Sequence, residues 1–267
     1  MTNALARADL EVLLRARKLD RAVAKPDAEP ARPGGAVLPL GIPLLDDRLG
    51  GGLPRGQMSE IVGARSTGRA TLVCAALGAA TARGELVAFV DALDMFDPET
   101  AAGCGVVLDR LLWVRGEATT VGGRVEGTSL GLNPRASSVF ERLLDRALKA
   151  VNLVLQAGGF DLVVLDLAEV PLAALRGLPF TTWFRLQRVI EGGRTACLVM
   201  APAPMTRSAD GVSIRLARAG GDRRGRSAGE ASRSVWTPQL FLGFDIEARI
   251  IRARAPDDSQ CGVAARV

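Results

Sequence analysis

From Val37 onward the chain alternates between short, nearly unbroken apolar runs and longer stretches whose apolar residues recur every three or four positions. The apolar runs are 57–62 (QMSEIV), 86–92 (LVAFVDA), 111–116 (LLWVRG), 160–167 (FDLVVLDL) and 195–201 (TACLVMA). Such runs predict strands, and those at 86–92, 160–167 and 195–201 predict strands buried on both faces. Helical spacing predicts helices over 43–49, 69–83, 97–104, 138–157 and 180–192. Strands that alternate with helices build a parallel-rich sheet. After Ala201 the pattern changes: 213–219 (SIRLARA) and 244–255 (FDIEARIIRARA) alternate like antiparallel strands. The expected fold class is therefore α/β, a parallel-rich central sheet flanked by helices, with antiparallel strands at its C-terminal edge.

Ahead of this unit, residues 4–24 predict an amphipathic helix with Leu5, Val12, Leu19 and Val23 on one stripe. Pro26, Pro30, Pro33, Gly34 and Gly35 then predict a linker. The expected division is a helix at 1–25, a linker at 26–36, a core at 37–256 and a tail at 257–267. Residues 117–137 and 220–234 are polar, rich in Gly and Ser and without periodicity, so they are expected to be loops, the first of them mobile.

Composition narrows the chemistry. No run approaches the ~18 apolar residues of a membrane-spanning helix. The N-terminal stretch is broken by Asp9, Glu11, Arg15 and Arg17, so it has no apolar signal core and the expected location is the cytoplasm. The chain has no histidine, which removes the commonest general base at neutral pH. Its four cysteines, Cys74, Cys104, Cys197 and Cys261, form no CxxC pair, so no zinc site is expected and most should serve as small core hydrophobes.

The net charge is +5, and residues 206–256 carry ten arginines against five acids, an excess that matches the whole chain's. Arginine forks suit phosphate. Arg207, Arg215, Arg218, Arg223, Arg224 and Arg226 are therefore candidates for weak, salt-sensitive, sequence-independent DNA contact. Aromatic residues are sparse there, so stacking on single-stranded bases is not expected.

The most specific chemical signal is Gly63-Ala64-Arg65-Ser66-Thr67-Gly68-Arg69-Ala70-Thr71, between a predicted strand and a predicted helix. The phosphate-binding loop pattern is GxxxxGK[ST]. Gly63 and Gly68 keep the frame, so the backbone can still curl as an anion nest ahead of a helix N-terminus. The lysine position holds Arg69, and the magnesium-hydroxyl position holds Ala70, which has no oxygen. Thr71 comes one residue late. Asp166, ending LVVLD, stands where a second metal-binding acid is usual. The candidate nucleotide-site residues are thus Gly63, Ser66, Thr67, Gly68, Arg69, Ala70, Thr71 and Asp166, in a worn form. No catalytic residue and no metal ligand set is expected, and ATP with magnesium is a doubtful cofactor.

These stretches together resemble the RecA family from about Leu40 to Pro256. The resemblance rests on Leu45-Asp46 followed by Leu49-Gly50-Gly51-Gly52-Leu53-Pro54-Arg55-Gly56, on Glu60-Ile61-Val62-Gly63, on Ala88-Phe89-Val90-Asp91-Ala92, on Asp97-Pro98 and on Asp161 to Asp166; Glu247 to Ile251 looks like the family's late antiparallel strands. It implies a RecA-like fold. It also implies where the pattern fails. The catalytic glutamate position is Leu93, with Asp94 displaced by one, and the adenine-stacking position is Thr100. Only Pro202 to Val212 could fill the family's long DNA-binding loop, and the family's extra C-terminal domain has no counterpart before Val267.

A RecA-like chain with these losses and an arginine-rich end is similar to the ImuA family, the RecA/SulA-like member of bacterial mutagenesis cassettes. That likeness implies a non-catalytic accessory protein of SOS-induced damage tolerance and translesion synthesis. Its implied partners are an ImuB-like Y-family polymerase relative, RecA and an error-prone replicative-type polymerase subunit, with nucleoid association on DNA damage. The alternatives are a weak ATP-binding switch or slow DNA-dependent ATPase, and a SulA-like division inhibitor.

Overall fold

The computed structural model describes residues 36–116, 134–206, 210–218, 234–236, 246–252 and 264–266. The expected N-terminal helix at 4–24 and most of the linker lie outside them. Elements follow in the order β1 (Val37–Leu38), α1 (Pro43–Arg48), β2 (Leu53–Pro54), β3 (Met58–Gly63), α2 (Arg69–Ala82), β4 (Val87–Asp91), α3 (Pro98–Gly103), β5 (Leu111–Arg115), α4 (Pro134–Ala157), β6 (Leu162–Asp166), α5 (Leu172–Arg176), α6 (Thr181–Ile190), β7 (Ala196–Ala201), β8 (Ser213–Arg218), β9 (Ser234–Trp236), β10 (Ile246–Arg252) and β11 (Ala264–Arg266).

The main sheet has seven strands in the order β10-β8-β3-β7-β6-β4-β5. Every pairing from β8 to β5 is parallel, and only β10 runs antiparallel, against β8. The antiparallel edge expected at the C-terminal side is thus one strand wide. The alternating pattern of 213–219 marked a strand with one face on the core, and its direction relative to β3 was set by the chain's return after β7.

Side chains from the two faces of the sheet form two cores. On one face, Ile61, Phe89, Val164 and Ile214 pack with Leu72, Val73, Ala76 and Leu77 of α2 and with the β1–α1–β2 segment. On the other, Val62, Val90, Val163 and Val199 pack with Leu144, Val151 and Leu155 of α4 and Trp183, Leu186 and Ile190 of α6. The molecule is a three-layer α/β/α arrangement. The strands at the centre read as continuous apolar runs because helices cover both of their faces.

One helix boundary and several short elements depart from the pattern-based expectation. Helix α4 begins at Pro134, so residues 134–137 of the expected loop are helical; proline presets the helical φ at a first-turn position. Helix α5 and the β1–β2 ribbon were not anticipated, being too short to show a period. The ribbon depends on Gly52 (φ 136°), where a Cβ would lie 2.1 Å from the Leu38 carbonyl oxygen. At the opposite end of the sheet from the candidate site, half-buried Arg55 joins Asp161 (3.0 Å), Glu85 (2.6 Å) and the Arg194 carbonyl (2.9 Å), tying the turn after β2 to the starts of β4, β6 and β7.

Candidate functional site

The C-terminal ends of the parallel strands carry the candidate site, the edge where open α/β sheets present ligand-binding loops. Strand β3 ends at Gly63, and the loop 63–68 delivers the chain into α2. Gly63 is obligatory there: a Cβ would sit 2.6 Å from Thr67 Oγ1 and 2.7 Å from the Leu216 carbonyl oxygen. Gly68 (φ 87°) caps α2 in the left-handed region, and Ser66 adopts φ 58° without being glycine. Thr67, buried, donates from Oγ1 to the Ala64 carbonyl at 2.7 Å and closes the loop on itself. The loop thus joins β3 to α2 with left-handed backbone at Ser66 and Gly68 and no room for a Cβ at Gly63.

The Arg69 side chain leaves the loop for the ends of neighbouring strands. Arg69, only 6% exposed, runs across the strand ends. Its Nη1 donates to the Ala168 carbonyl at 2.9 Å and to the Ala201 carbonyl at 3.4 Å, and its Nη2 pairs with Glu169 Oε1 at 2.7 Å. The guanidinium thus cross-links the ends of β6 and β7 rather than standing over the loop. Ala70 is exposed and offers only a methyl group.

Asp166, at the end of β6, accepts from the Ala168 amide at 2.8 Å, shaping the tight turn that presents Glu169. Burial, then the neighbouring Asp91 charge, pushes its carboxyl up to about 7 against the opposing Ala168 hydrogen bond. Asp91, 1% exposed, accepts from the Met95 amide at 3.0 Å and the Phe96 amide at 2.8 Å, so it organises the turn after β4. Leu93 packs against the α4-side core. Asp94 (φ 57°) forms a two-pronged pair with Arg115 at 2.8 Å, and Arg115 stacks 4.5 Å from the Trp113 ring.

Sequence reasoning missed two acids. Glu60 lies inside β3 at 1% exposure and accepts from the Met205 and Thr206 amides, both at 2.8 Å, and from Ser213 Oγ at 2.5 Å. It holds the segment after β7 against the sheet. Its signal was an acid inside an apolar run, which implies a satisfied buried carboxylate. Glu169 gave no signal, because a loop acid is ordinary.

Of the arginine candidates for DNA contact, Arg215 is exposed on β8 and Arg218 ends the same strand; Arg207, Arg223, Arg224 and Arg226 lie outside the described residues. Arg215 stands opposite exposed Arg249 in the β8–β10 register. Among the described residues, no group of three or more acids or cysteines is arranged to hold a metal ion. Cys74 and Cys197 are buried, as expected of core thiols, and Cys104 is half-buried.

Residues 35–120 match the family described as RecA N-terminal domain. The match covers the β1–β2 ribbon, the loop 63–71 and strands β3 to β5. The fold is RecA-like. Protein RecA of Clavibacter michiganensis subsp. michiganensis is 36% identical over 145 residues, which is 53% of this chain and 33% of that protein. Protein RecA of Mycolicibacterium gilvum is 34% identical over 152 residues, 56% of this chain and 36% of that protein. Protein RecA of Mycobacterium ulcerans is 35% identical over 145 residues, 53% of this chain and 35% of that protein. The matched part of this RecA-like chain spans about a third of the length of these curated relatives.

Proposed function

We propose that this RecA-like chain is a non-catalytic accessory protein of DNA damage tolerance, acting as a scaffold rather than as an ATP-driven recombinase. The observation that carries this reading is the burial of Arg69 against Glu169 and the carbonyls of Ala168 and Ala201. A cation so engaged is withdrawn from any triphosphate. Ala70 brings no oxygen for magnesium, Asp166 already accepts a backbone amide, and Leu93 stands where the RecA resemblance puts a glutamate. Phosphoryl transfer depends on positioning and charge stabilisation, so each substitution removes part of it. The residues present do not suit a magnesium-bound triphosphate.

The likeness to the ImuA family then favours a role in SOS-induced translesion synthesis, with an ImuB-like polymerase relative, RecA or an error-prone polymerase subunit as partner. The described surface supports a protein contact: Phe180 and Phe184, 45% and 50% exposed, meet edge to face at 4.5 Å beside a cavity of ≈ 290 Å³ that Trp183 and Met58 also line. Exposed apolar groups around a cavity mark interaction sites. Arg215 and Arg249 supply positive charge for weak DNA contact.

A second reading, a nucleotide-binding switch, draws on the intact Gly63 and Gly68 backbone frame. Titration with a fluorescent ATP analogue and magnesium, with and without single-stranded DNA, decides between them when phosphate release is followed in the same samples. Absence of binding and release is the expected result. Tight binding without release favours the switch, and DNA-stimulated release overturns the scaffold reading.

A further inference from the structure

Two arginines of the 63–71 loop converge on one carboxylate. Arg69 Nη2 lies 2.7 Å from Glu169 Oε1, and Arg65 Nε lies 3.5 Å from Glu169 Oε2. The three residues differ in exposure: Arg69 is 6% exposed, Glu169 31% and Arg65 76%. A buried guanidinium requires a counter-charge. The nearby strand-end acids are committed elsewhere, Asp91 to the Met95 and Phe96 amides and Asp166 to the Ala168 amide. Glu169 is the acid that reaches both arginines, and it does so from a loop open to solvent.

A carboxylate and a phosphate offer the same edge of oxygens to an arginine fork. The seat of the Glu169 carboxylate, between the Arg65 and Arg69 guanidinium groups, is the electrostatic environment an oxyanion takes. We infer that Glu169 is an internal stand-in for an oxyanion: it keeps the arginine pair filled, and its withdrawal opens a site for a phosphate-class anion between Arg65 and Arg69. Because Glu169 is held in the same chain, it competes for the pair as an intramolecular ligand, at an effective concentration of millimolar order. The unaltered protein therefore keeps the seat self-occupied.

This deepens the reading of a disabled nucleotide site, and the two fail separately. ATP turnover by the unaltered protein removes the disabled-site reading, whereas the present inference stands or falls on anion binding by variants.

The test compares the full chain with Glu169→Ala, using inorganic phosphate and pyrophosphate as probes in chloride buffer. Glu169→Ala is expected to melt at a lower temperature than the unaltered protein and to regain much of the difference in millimolar phosphate, beyond the general salt effect seen with the unaltered protein. By calorimetric titration its pyrophosphate affinity is expected to rise at least about tenfold, and adding Arg65→Ala should reverse most of that gain. An equal phosphate response in both proteins, or a gain indifferent to Arg65→Ala, overturns the inference. If Glu169→Ala cannot be purified, Glu169→Asp draws the carboxylate back while keeping its charge. A gain of several-fold is then expected, and no gain overturns the inference equally.

Discussion

Asp91 and Asp166 stand directly opposite each other in the parallel register of β4 and β6, two carboxylates at the same level of adjacent strand ends. Asp91 accepts two backbone amides and Asp166 one. Burial lifts the Asp166 carboxyl to about 7, and the neighbouring Asp91 charge adds to the rise.

The sign of the resulting pH dependence follows. Between the ordinary carboxyl value of 3.8 and about 7, the folded protein holds a proton on Asp166 that the unfolded chain has released. Stability from this group is therefore greatest at the acid end of that window and falls as pH rises through it. Asp166→Asn keeps the acceptor for the Ala168 amide and removes the charge. It should be more stable than the unaltered protein by about 1–3 kcal/mol at pH 8, with the advantage shrinking towards pH 5. Urea denaturation at several pH values measures this, and an advantage that does not change with pH would count against it.

Glu60 is buried inside β3, where its carboxyl oxygens accept the Met205 and Thr206 amides and the Ser213 hydroxyl. Glu60→Ala strands the Met205 and Thr206 amides and the Ser213 hydroxyl, and should cost about 2–4 kcal/mol. Glu60→Gln, which keeps one acceptor oxygen, should fall between. Amide exchange at residues 205 and 206 should accelerate along with the loss of global stability.

Like charges facing each other across a strand pair weaken it. Arg215 and Arg249 stand opposite each other on an exposed strip of β8 and β10, where a polyanion can meet two guanidinium groups. The double substitution Arg215→Ala, Arg249→Ala is expected to lower DNA affinity to a similar extent for unrelated sequences and to reduce the salt slope by about 1–2. Fluorescence anisotropy between ~50 and ~200 mM salt is the measurement. An unchanged slope would remove this strip from the DNA-contacting surface.

Burial pushes the thiols of Cys74 and Cys197 up to about 12, with Cys104 adding to the effect at Cys74. Thiolates are the reactive form. Neither residue should be alkylated at pH 7.5 in the folded protein, and both should be labelled in urea, as peptide mass spectrometry would show. Rapid labelling of Cys197 in the native state would mean that β7 opens locally.

The sheet was legible in the residues because β3, β4, β6 and β7 are covered on both faces, and burial of that kind leaves continuous apolar runs. The candidate loop was legible because left-handed φ at Gly68 and the close approach at Gly63 exclude a Cβ. Helix α5 and the β1–β2 ribbon were not legible, since each is shorter than the period that would reveal it. The direction of β8 was hidden too: alternation reports one buried face, not the neighbour's polarity.

By itself, the sequence determined the α/β layering, the backbone frame of the 63–71 loop and the absence of an oxygen at Ala70, because these depend on local sterics, hydrophobic period and side-chain composition. Only the tertiary structure decided where the Arg69 guanidinium points and what neutralises it. An arginine at the start of a helix can face a loop or turn across the sheet with equal local ease. The choice belongs to Ala168, Glu169 and Ala201, roughly a hundred residues or more away in the chain, whose carbonyls and carboxylate meet the guanidinium only once β7 is laid beside β3 and β6 beside β7.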